Sequence, residues 1–111
     1  MILYGFFRSS ASYRVRIAMN LKGLTPEHRP IQLAKKMQNT IEFRAINRQG
    51  FVPYLIDDDD LQNGSFSLAQ SLAIIEYLNE IQPEPPLLPA DPRDRALARS
   101  IALMIACDII R

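Results

Sequence analysis

The sequence of 111 residues contains a single cysteine, Cys107, and a single histidine, His28. One cysteine excludes an internal disulfide and a cysteine-based zinc site, and one histidine excludes a site built from several histidines. Long hydrophobic segments are also absent, because the longest apolar run, at residues 101–107, is far shorter than the roughly 20 residues that span a membrane. Residues 1–5 lack the basic start and long apolar stretch of a secretion signal, so we expect a cytoplasmic protein.

The composition is that of an ordinary globular chain, with 48% hydrophobic residues, 23% charged residues and a formal net charge of +1. It therefore excludes a disordered polyelectrolyte. The charge is nevertheless unevenly distributed: residues 1–56 hold nine Lys/Arg and two acidic residues, whereas residues 57–111 hold four Arg and ten acidic residues. A basic half could attract an anionic ligand or a nucleic acid. Because its basic residues are scattered, without zinc-finger spacing or an aromatic RNA-binding signature, the sequence argues against nucleic acid.

The apolar pattern along residues 1–81 predicts alternating strands and helices. The first predicted elements are a buried strand at residues 2–4, a helix from Ser10 to Gly23, an irregular or edge strand at 27–33 and a helix at 38–46. They are followed by strands at 53–56 and 65–68, which are joined by a turn, and by a helix from residue 71. The apolar face predicted for the first helix consists of Ala11, Val15, Ala18 and Leu21. This βαβ half followed by a ββα half predicts a thioredoxin-like α/β fold with a mixed four-stranded sheet. Several unrelated α/β layouts share the same element order.

The helix from residue 71 has the clearest amphipathic pattern. Its predicted apolar face consists of Leu72, Ile75 and Leu78, with Ile74 and Ile81 beside them. Its predicted exposed face consists of Glu76, Asn79 and Glu80. Ser71 is the predicted N-cap, since its hydroxyl could accept a hydrogen bond from a backbone amide of the first turn.

A proline-rich stretch at residues 82–92 holds five of the eight prolines and predicts an inter-domain linker. Asp91 is the predicted cap of a following helix that has Pro92 at its first position. The apolar stripe of this helix consists of Leu97, Ile101, Met104, Ile105 and Ile109, with Cys107 expected to pack beside it. The proline-rich stretch therefore predicts a first domain at residues 1–82 and a linker at 83–91. Because the apolar stripe needs a partner, we expect residues 92–111 to be the first helix of an incomplete all-α domain.

Two stretches resemble signatures of the zeta-class glutathione transferases, the maleylacetoacetate isomerase family. The segment Arg8–Ala18, RSSASYRVRIA, is similar to the signature that opens the family's first helix. The segment Gln70–Leu78, QSLAIIEYL, is similar to its third-helix signature. Val52-Pro53 matches the position of the family's cis-proline, and Leu87–Pro92 resembles its inter-domain connection. The resemblance covers almost the whole chain but only about the first half of a full-length family member.

The resemblance implies glutathione as the cofactor and assigns roles to residues around the two helix starts. The implied catalytic residues are Ser9 and Ser10. The implied glutathione-binding residues are Ser9, Ser10, Ala11, Gln38, Val52, Pro53, Gln70 and Ser71. Apart from the resemblance, Arg8, Arg14 and Arg16 crowd the same loop and first helix and could raise the positive potential for an anionic cofactor or substrate, with Arg14 as the candidate for binding the substrate; alternatively, these arginines form a solvated face or salt bridges with the acidic half. The chemistry fits these positions, because a helix N-terminus carries a partial positive charge and a serine hydroxyl there can donate to a thiolate. The alternative is that both serines simply cap the first helix.

Two positions depart from the family pattern. Ala11 stands where the family usually has cysteine, so any thiol role at that position is absent. Tyr13 stands where the family usually has tryptophan. The hydroxyl groups of Ser9 and Ser10 remain, so hydroxyl-based chemistry is retained.

The function implied by the resemblance is glutathione-dependent cis-trans isomerisation of maleylacetoacetate to fumarylacetoacetate, in tyrosine and phenylalanine breakdown, by a homodimer. In this family the second domain forms part of the acceptor pocket, so we expect residues 1–111 alone to have little or no isomerase activity. The alternative is a non-catalytic glutathione-binding or protein-interaction module, which the unpartnered apolar stripe favours. A thioredoxin-like redox enzyme is disfavoured because the sequence contains no Cys-x-x-Cys motif.

Overall fold

The computed structural model describes residues 1–6, 9–31, 52–58 and 64–109, with only the backbone of residues 108 and 109. Within these residues, four strands form one sheet in the order β2-β1-β3-β4. The strands are β1 (Ile2–Gly5), β2 (Glu27–Pro30), β3 (Tyr54–Asp57) and β4 (Phe66–Ala69). β1 pairs in parallel with β2 and antiparallel with β3, which in turn pairs antiparallel with β4. The predicted mixed four-stranded sheet is confirmed, and β2 is an edge strand that is shorter than the predicted segment at residues 27–33.

The described helices are α1 (Ser10–Lys22), α2 (Ser71–Ile81) and α3 (Pro92–Leu103), and α3 continues as a π-helix at Met104–Ile109. The predicted helix at residues 38–46 lies outside the described residues. Together with the sheet order, these elements give the predicted thioredoxin-like fold.

The buried face of α1 contains Val15 and Ala18, as predicted, but it also contains polar residues. Its buried residues include Ser12, Val15, Met19 and Lys22, which follow one another at the helical intervals of three and four. Leu21, which was expected on the apolar face, is 57% exposed. The prediction is therefore wrong for Leu21, because it counted only apolar residues, whereas two polar residues, Ser12 and Lys22, occupy the side that faces the domain.

The main core lies between the sheet and the helices α1 and α2. It consists of the buried side chains of Leu3, Val15, Met19, Leu55, Ile74 and Leu78. A second cluster lies on the opposite face of the sheet, because side chains alternate along a strand. This second cluster is formed by Ile31 and Tyr54, with the partly buried Tyr4, Val52, Ile56 and Ala69 packed against them.

Two predictions for α2 are wrong. Ser71 is the first helical residue rather than the N-cap, and the N-cap position is occupied by Gln70, which makes no side-chain capping hydrogen bond. The Ser71 hydroxyl accepts a hydrogen bond from Arg14 instead. Asn79, expected on the exposed face, is buried. Its side-chain oxygen is satisfied there, because it accepts hydrogen bonds from the ammonium of Lys22 and from the backbone amide of Leu87.

α3 begins as the sequence predicts but packs weakly. Asp91 is the N-cap, with its carboxylate accepting from the amides of Arg93 and Asp94, and Pro92 is the first helical residue. No residue of α3 is buried. The described part of the apolar stripe is exposed, at Leu97, Ile101, Met104 and Ile105. Cys107 is also exposed, so the expectation that it packs is wrong, because the stripe beside it has no described element covering it.

Candidate functional site

The strand register brings three separated segments of the chain to one edge of the sheet. Tyr4 near the end of β1 pairs with Tyr54 at the start of β3, and Tyr54 pairs with Ala69 at the end of β4. The described residues after β1, the residues before β3 and the residues after β4 therefore lie at the same edge. These segments contain seven of the predicted site residues, namely Ser9, Ser10, Ala11, Val52, Pro53, Gln70 and Ser71. The eighth predicted binding residue, Gln38, lies outside the described residues.

Ser9 is held at the N-terminus of α1 by both its backbone and its side chain. Its backbone amide donates to the carbonyl of Phe6 at 3.0 Å, and its hydroxyl oxygen accepts from the amide of Ser12 at 3.2 Å. Ser9 is therefore the N-cap. A hydroxyl has one proton to donate besides its lone pairs, so Ser9 can act as a cap and as a donor at once. The following residue, Ser10, is exposed, and Ala11 is half-buried.

Ser12 holds the backbone of Phe6, just after β1, through a contact that the sequence pattern does not predict. Its side chain is fully buried, and its hydroxyl oxygen accepts from the amide of Phe6 at 3.2 Å. Gly5 permits this close approach, because a Cβ atom there would lie 3.3 Å from the Ser12 hydroxyl oxygen. The available signal was the helical spacing of Ser12 with Val15 and Met19, which marks it as a polar residue on the buried face.

The start of α2 is joined directly to α1. The guanidinium of Arg14 donates to the hydroxyl oxygen of Ser71 at 3.1 Å. Ser71 is only 8% exposed, whereas Gln70 before it is exposed and has a φ of 76°. Few residues other than glycine adopt such a left-handed conformation, and it is typical of strained positions at functional sites.

The peptide bond between Val52 and Pro53 is cis, which confirms the geometry that the family resemblance implied. Pro53 is buried, and Val52 packs against the second cluster. The ladder between β1 and β3 begins at Tyr54, so the backbone of Val52 lies beyond the sheet's own hydrogen bonds.

Among the described residues, the N-termini of two helices and the guanidinium of Arg14 bring positive charge to this edge. The first amides of a helix have no partner within the helix, so each N-terminus offers N–H donors and a partial positive charge. Two other described arginines of the basic half lie against tyrosine rings. Arg16 lies over the ring of Tyr13, and Arg29 donates to Tyr4 and Glu27, which raises the pKa of Arg29 above its ordinary value. The edge can therefore hold an anion, with Arg14 as the arginine that bridges α1 and α2.

Metal-ligand clusters and membrane-spanning helices are both absent from the residues that the structure describes. None of their His, Cys, Asp and Glu side chains form a group of three or more that could hold a metal ion. Among the helices of the same residues, none is long and apolar enough to cross a membrane.

The sequence matches known proteins along nearly its whole length. Residues 3–86 match the family described as the glutathione S-transferase N-terminal domain. A zeta-class glutathione S-transferase from Euphorbia esula is 47% identical over 107 residues, which cover 96% of this chain and 45% of that protein. Maleylacetoacetate isomerase from Mus musculus is 48% identical over 110 residues, which cover 97% of this chain and 48% of that protein.

Solved structures agree with these sequence matches. The crystal structure of a maleylacetoacetate isomerase from Methylobacterium extorquens, with bound malonate and glutathione, superposes with a TM-score of 0.88 at 48% identity. That match covers 97% of this chain and 48% of the other. A holo maleylpyruvate isomerase of the zeta class superposes with a TM-score of 0.86 at 44% identity, covering 98% of this chain and 49% of the other. The chain thus spans about half the length of these relatives, and it belongs to the glutathione S-transferase family as an N-terminal domain similar to those of the zeta class.

Proposed function

We propose that this chain is the glutathione-binding half of a glutathione-dependent cis-trans isomerase that acts on maleylacetoacetate or a similar anionic diketo acid. The observation that carries the proposal is the convergence of three segments at one sheet edge, where Ser9 and Ser71 begin two helices beside the cis bond before Pro53. The names of the relatives and the glutathione bound in one similar structure support the same ligand.

The donors at this edge fit the chemistry of glutathione, a tripeptide with two carboxylates and a thiol. The N-terminus of α2 would hold the γ-glutamyl carboxylate through Gln70 and Ser71, because helix N-termini bind anions. The backbone of Val52, which lies outside the β ladder, would pair with the cysteinyl part as a short added strand. Ser10 and Ala11 would line the thiol end, and Gln38 belongs to the proposed binding set on the family pattern alone.

Bound glutathione supplies a thiolate nucleophile. Its thiol is mostly protonated at neutral pH unless its surroundings favour the charged form. Ser9 would favour the thiolate, because its hydroxyl proton can donate to the thiolate sulfur while its oxygen accepts from the amide of Ser12. The partial positive charge at the start of α1 acts in the same direction. Ser10 is the second candidate for this donor.

Three parts of the chain would have separate roles in this function. Residues 1–82 would form the glutathione-binding domain, residues 83–91 the linker, and residues 92–111 the first helix of an all-α domain that completes the acceptor pocket. Because the chain spans about half the length of its relatives, we expect residues 1–111 to bind glutathione but to isomerise slowly or not at all. A homodimer and a cytoplasmic location belong to the same proposal.

Calorimetric titration with glutathione, together with an isomerase assay, tests the proposal. We expect glutathione binding by the 111-residue chain and weak or absent turnover. A chain in which residues 1–111 are followed by an all-α second domain should turn over maleylacetoacetate, and Ser9→Ala in that longer chain should lower kcat. Absence of glutathione binding would overturn the proposal, and full turnover by residues 1–111 would overturn the expected need for a second domain.

The second candidate is a glutathione-binding or protein-interaction module without catalysis. The exposed apolar side chains of α3 and the following turn, among them Leu97, Ile101 and Met104, favour it because exposed apolar patches often mark contact surfaces. The same experiments separate the two candidates. Glutathione binding without turnover in the longer chain supports the module, and turnover that is lost in Ser9→Ala supports the enzyme.

A further inference from the structure

We propose that Arg14 is a positioning residue that turns the Ser71 hydroxyl into a hydrogen-bond donor for the γ-glutamyl carboxylate of glutathione. This inference rests on the proposed function. It differs from the direct substrate-binding role that the sequence suggested for Arg14, because the guanidinium acts through a second side chain.

Arg14, in the second turn of α1, contacts Ser71 in the first turn of α2. One guanidinium nitrogen donates to the Ser71 hydroxyl oxygen at 3.1 Å, and the two residues are 57 positions apart in the sequence. The contact is partly buried, and Ser71 is only 8% exposed. It therefore fixes the side chain of Ser71 from the helix α1 side.

The position of Ser71 within its helix determines what its hydroxyl can do. A serine at the N-cap accepts a hydrogen bond from an amide of the first turn, which would direct its oxygen back toward the helix. Ser71 is one residue beyond the N-cap, and no side chain caps α2. Its oxygen accepts from Arg14 instead, so the hydroxyl proton is available to an acceptor at the helix N-terminus.

The charge of Arg14 strengthens this donor. A hydroxyl that accepts from a charged group is polarised and donates more strongly, as in other chains of hydrogen bonds. An anion at the start of α2 would thus receive a hydroxyl donor in addition to the amides of the helix. The arrangement favours a carboxylate over a neutral group, because both the guanidinium and the helix N-terminus favour negative charge.

The test compares two ligands by calorimetric titration: glutathione and cysteinylglycine, which lacks the γ-glutamyl group. We expect Arg14→Met to weaken glutathione binding about tenfold while leaving cysteinylglycine binding nearly unchanged. Ser71→Ala should have a similar effect. The double variant should bind glutathione no more weakly than the weaker single variant, because both substitutions remove the same hydrogen-bonded unit.

Two further variants separate positioning from general charge and from folding. Arg29→Met removes an equal charge from the edge strand β2, where the guanidinium is engaged with Tyr4 and Glu27, and we expect less than about a twofold change in glutathione affinity. Arg14→Lys keeps the charge and one donor, so it should recover part of the loss. It also supplies a folded comparison if Arg14→Met is unstable.

The outcomes distinguish this inference from the proposed function. If the wild-type chain binds no glutathione, both fail. If the wild-type chain binds glutathione and Arg14→Met binds it equally well, only the role of Arg14 fails. Equal weakening for glutathione and cysteinylglycine, or strictly additive losses in the double variant, would also overturn it, since a general structural effect would then account for the data.

Discussion

The ammonium of Lys22 donates a hydrogen bond to the side-chain oxygen of Asn79 at 2.8 Å, with Lys22 only 2% exposed and Asn79 only 8% exposed. The same ammonium donates to the backbone carbonyl of Pro85, and the side chain of Gln82 donates to the carbonyl of Lys22. Asn79 also accepts from the amide of Leu87 at 3.0 Å. These contacts attach the proline-rich linker to the ends of α1 and α2, so the linker is docked on the domain.

Substitution of Lys22 by methionine should lower the free energy of unfolding by about 1–2 kcal/mol. Methionine keeps the apolar stem but removes the donor from two acceptors, although it also removes the cost of burying a charge. Urea denaturation measures the change. Arg93→Met is the control, because Arg93 is exposed on α3, and we expect a change within about 0.5 kcal/mol.

Asn79→Ala should be more harmful than Lys22→Met, at about 3 kcal/mol, because it leaves a buried charge without its side-chain partner. The double variant should therefore be less destabilised than the sum of the two single variants. Hydrogen exchange gives a local readout, since the Leu87 amide should lose protection in Asn79→Ala. Additive losses with an unchanged Leu87 amide would show that the two side chains do not act together on the linker.

Much of the fold could be predicted because local signals and the fold agree. The first strand, the start of α1 at Ser10, the Gly23 stop and the Asp91 cap lie where the sequence predicts them. Lys22 and Asn79 were missed because a periodicity argument assigns charged and amide side chains to solvent. Their burial depends on a mutual contact between residues 57 positions apart, which no local pattern contains.

The candidate site could be predicted only in part, for a related reason. The family resemblance supplied the residues at both helix starts and the cis bond before Pro53, and the structure confirms the cis bond. The N-cap rule assigned Ser71 a local role. The actual partner of Ser71 is Arg14 on another helix, so the contact becomes visible only when α1 and α2 are placed side by side.

Gly23→Ala should lower the free energy of unfolding by about 1 kcal/mol. Gly23 closes α1 with a φ of 70°, and a Cβ added there would meet nothing within 4 Å, so the cost arises from backbone conformation alone. Gly23→Asn should recover part of the loss, because asparagine tolerates this conformation better. Thermal unfolding of the three proteins checks the order, and an alanine variant as stable as wild type would contradict the explanation.

Asp91→Ala should affect α3 without much effect on the rest of the domain. It removes the side chain that accepts from the amides of Arg93 and Asp94, a loss of about 1 kcal/mol in helix stability. Because α3 has no buried residue, it can open locally. Hydrogen exchange should show faster exchange along residues 92–103 with nearly unchanged core amides. Asp91→Ser keeps a cap and should exchange like wild type, whereas a uniform loss of protection would contradict local opening.

Ser9→Asp separates the two roles proposed for Ser9. Aspartate is a good N-cap and can accept from the amide of Ser12, so we expect the free energy of unfolding of this variant to stay within about 0.5 kcal/mol of wild type. Ser9→Ala should lose about 1 kcal/mol. The introduced carboxylate cannot donate to a thiolate and repels it, so the pKa of the thiol of bound glutathione should rise by about one unit or more.

The ultraviolet absorbance of the thiolate, followed against pH with glutathione bound, gives this pKa in each variant. Wild type should have the lowest value, because only its hydroxyl combines a cap with a donor. An unchanged thiol pKa in both Ser9 variants would leave Ser9 as a helix cap alone. A larger rise in Ser10→Ala than in Ser9→Ala would instead assign the thiolate donor to Ser10, which is exposed at the first position of α1.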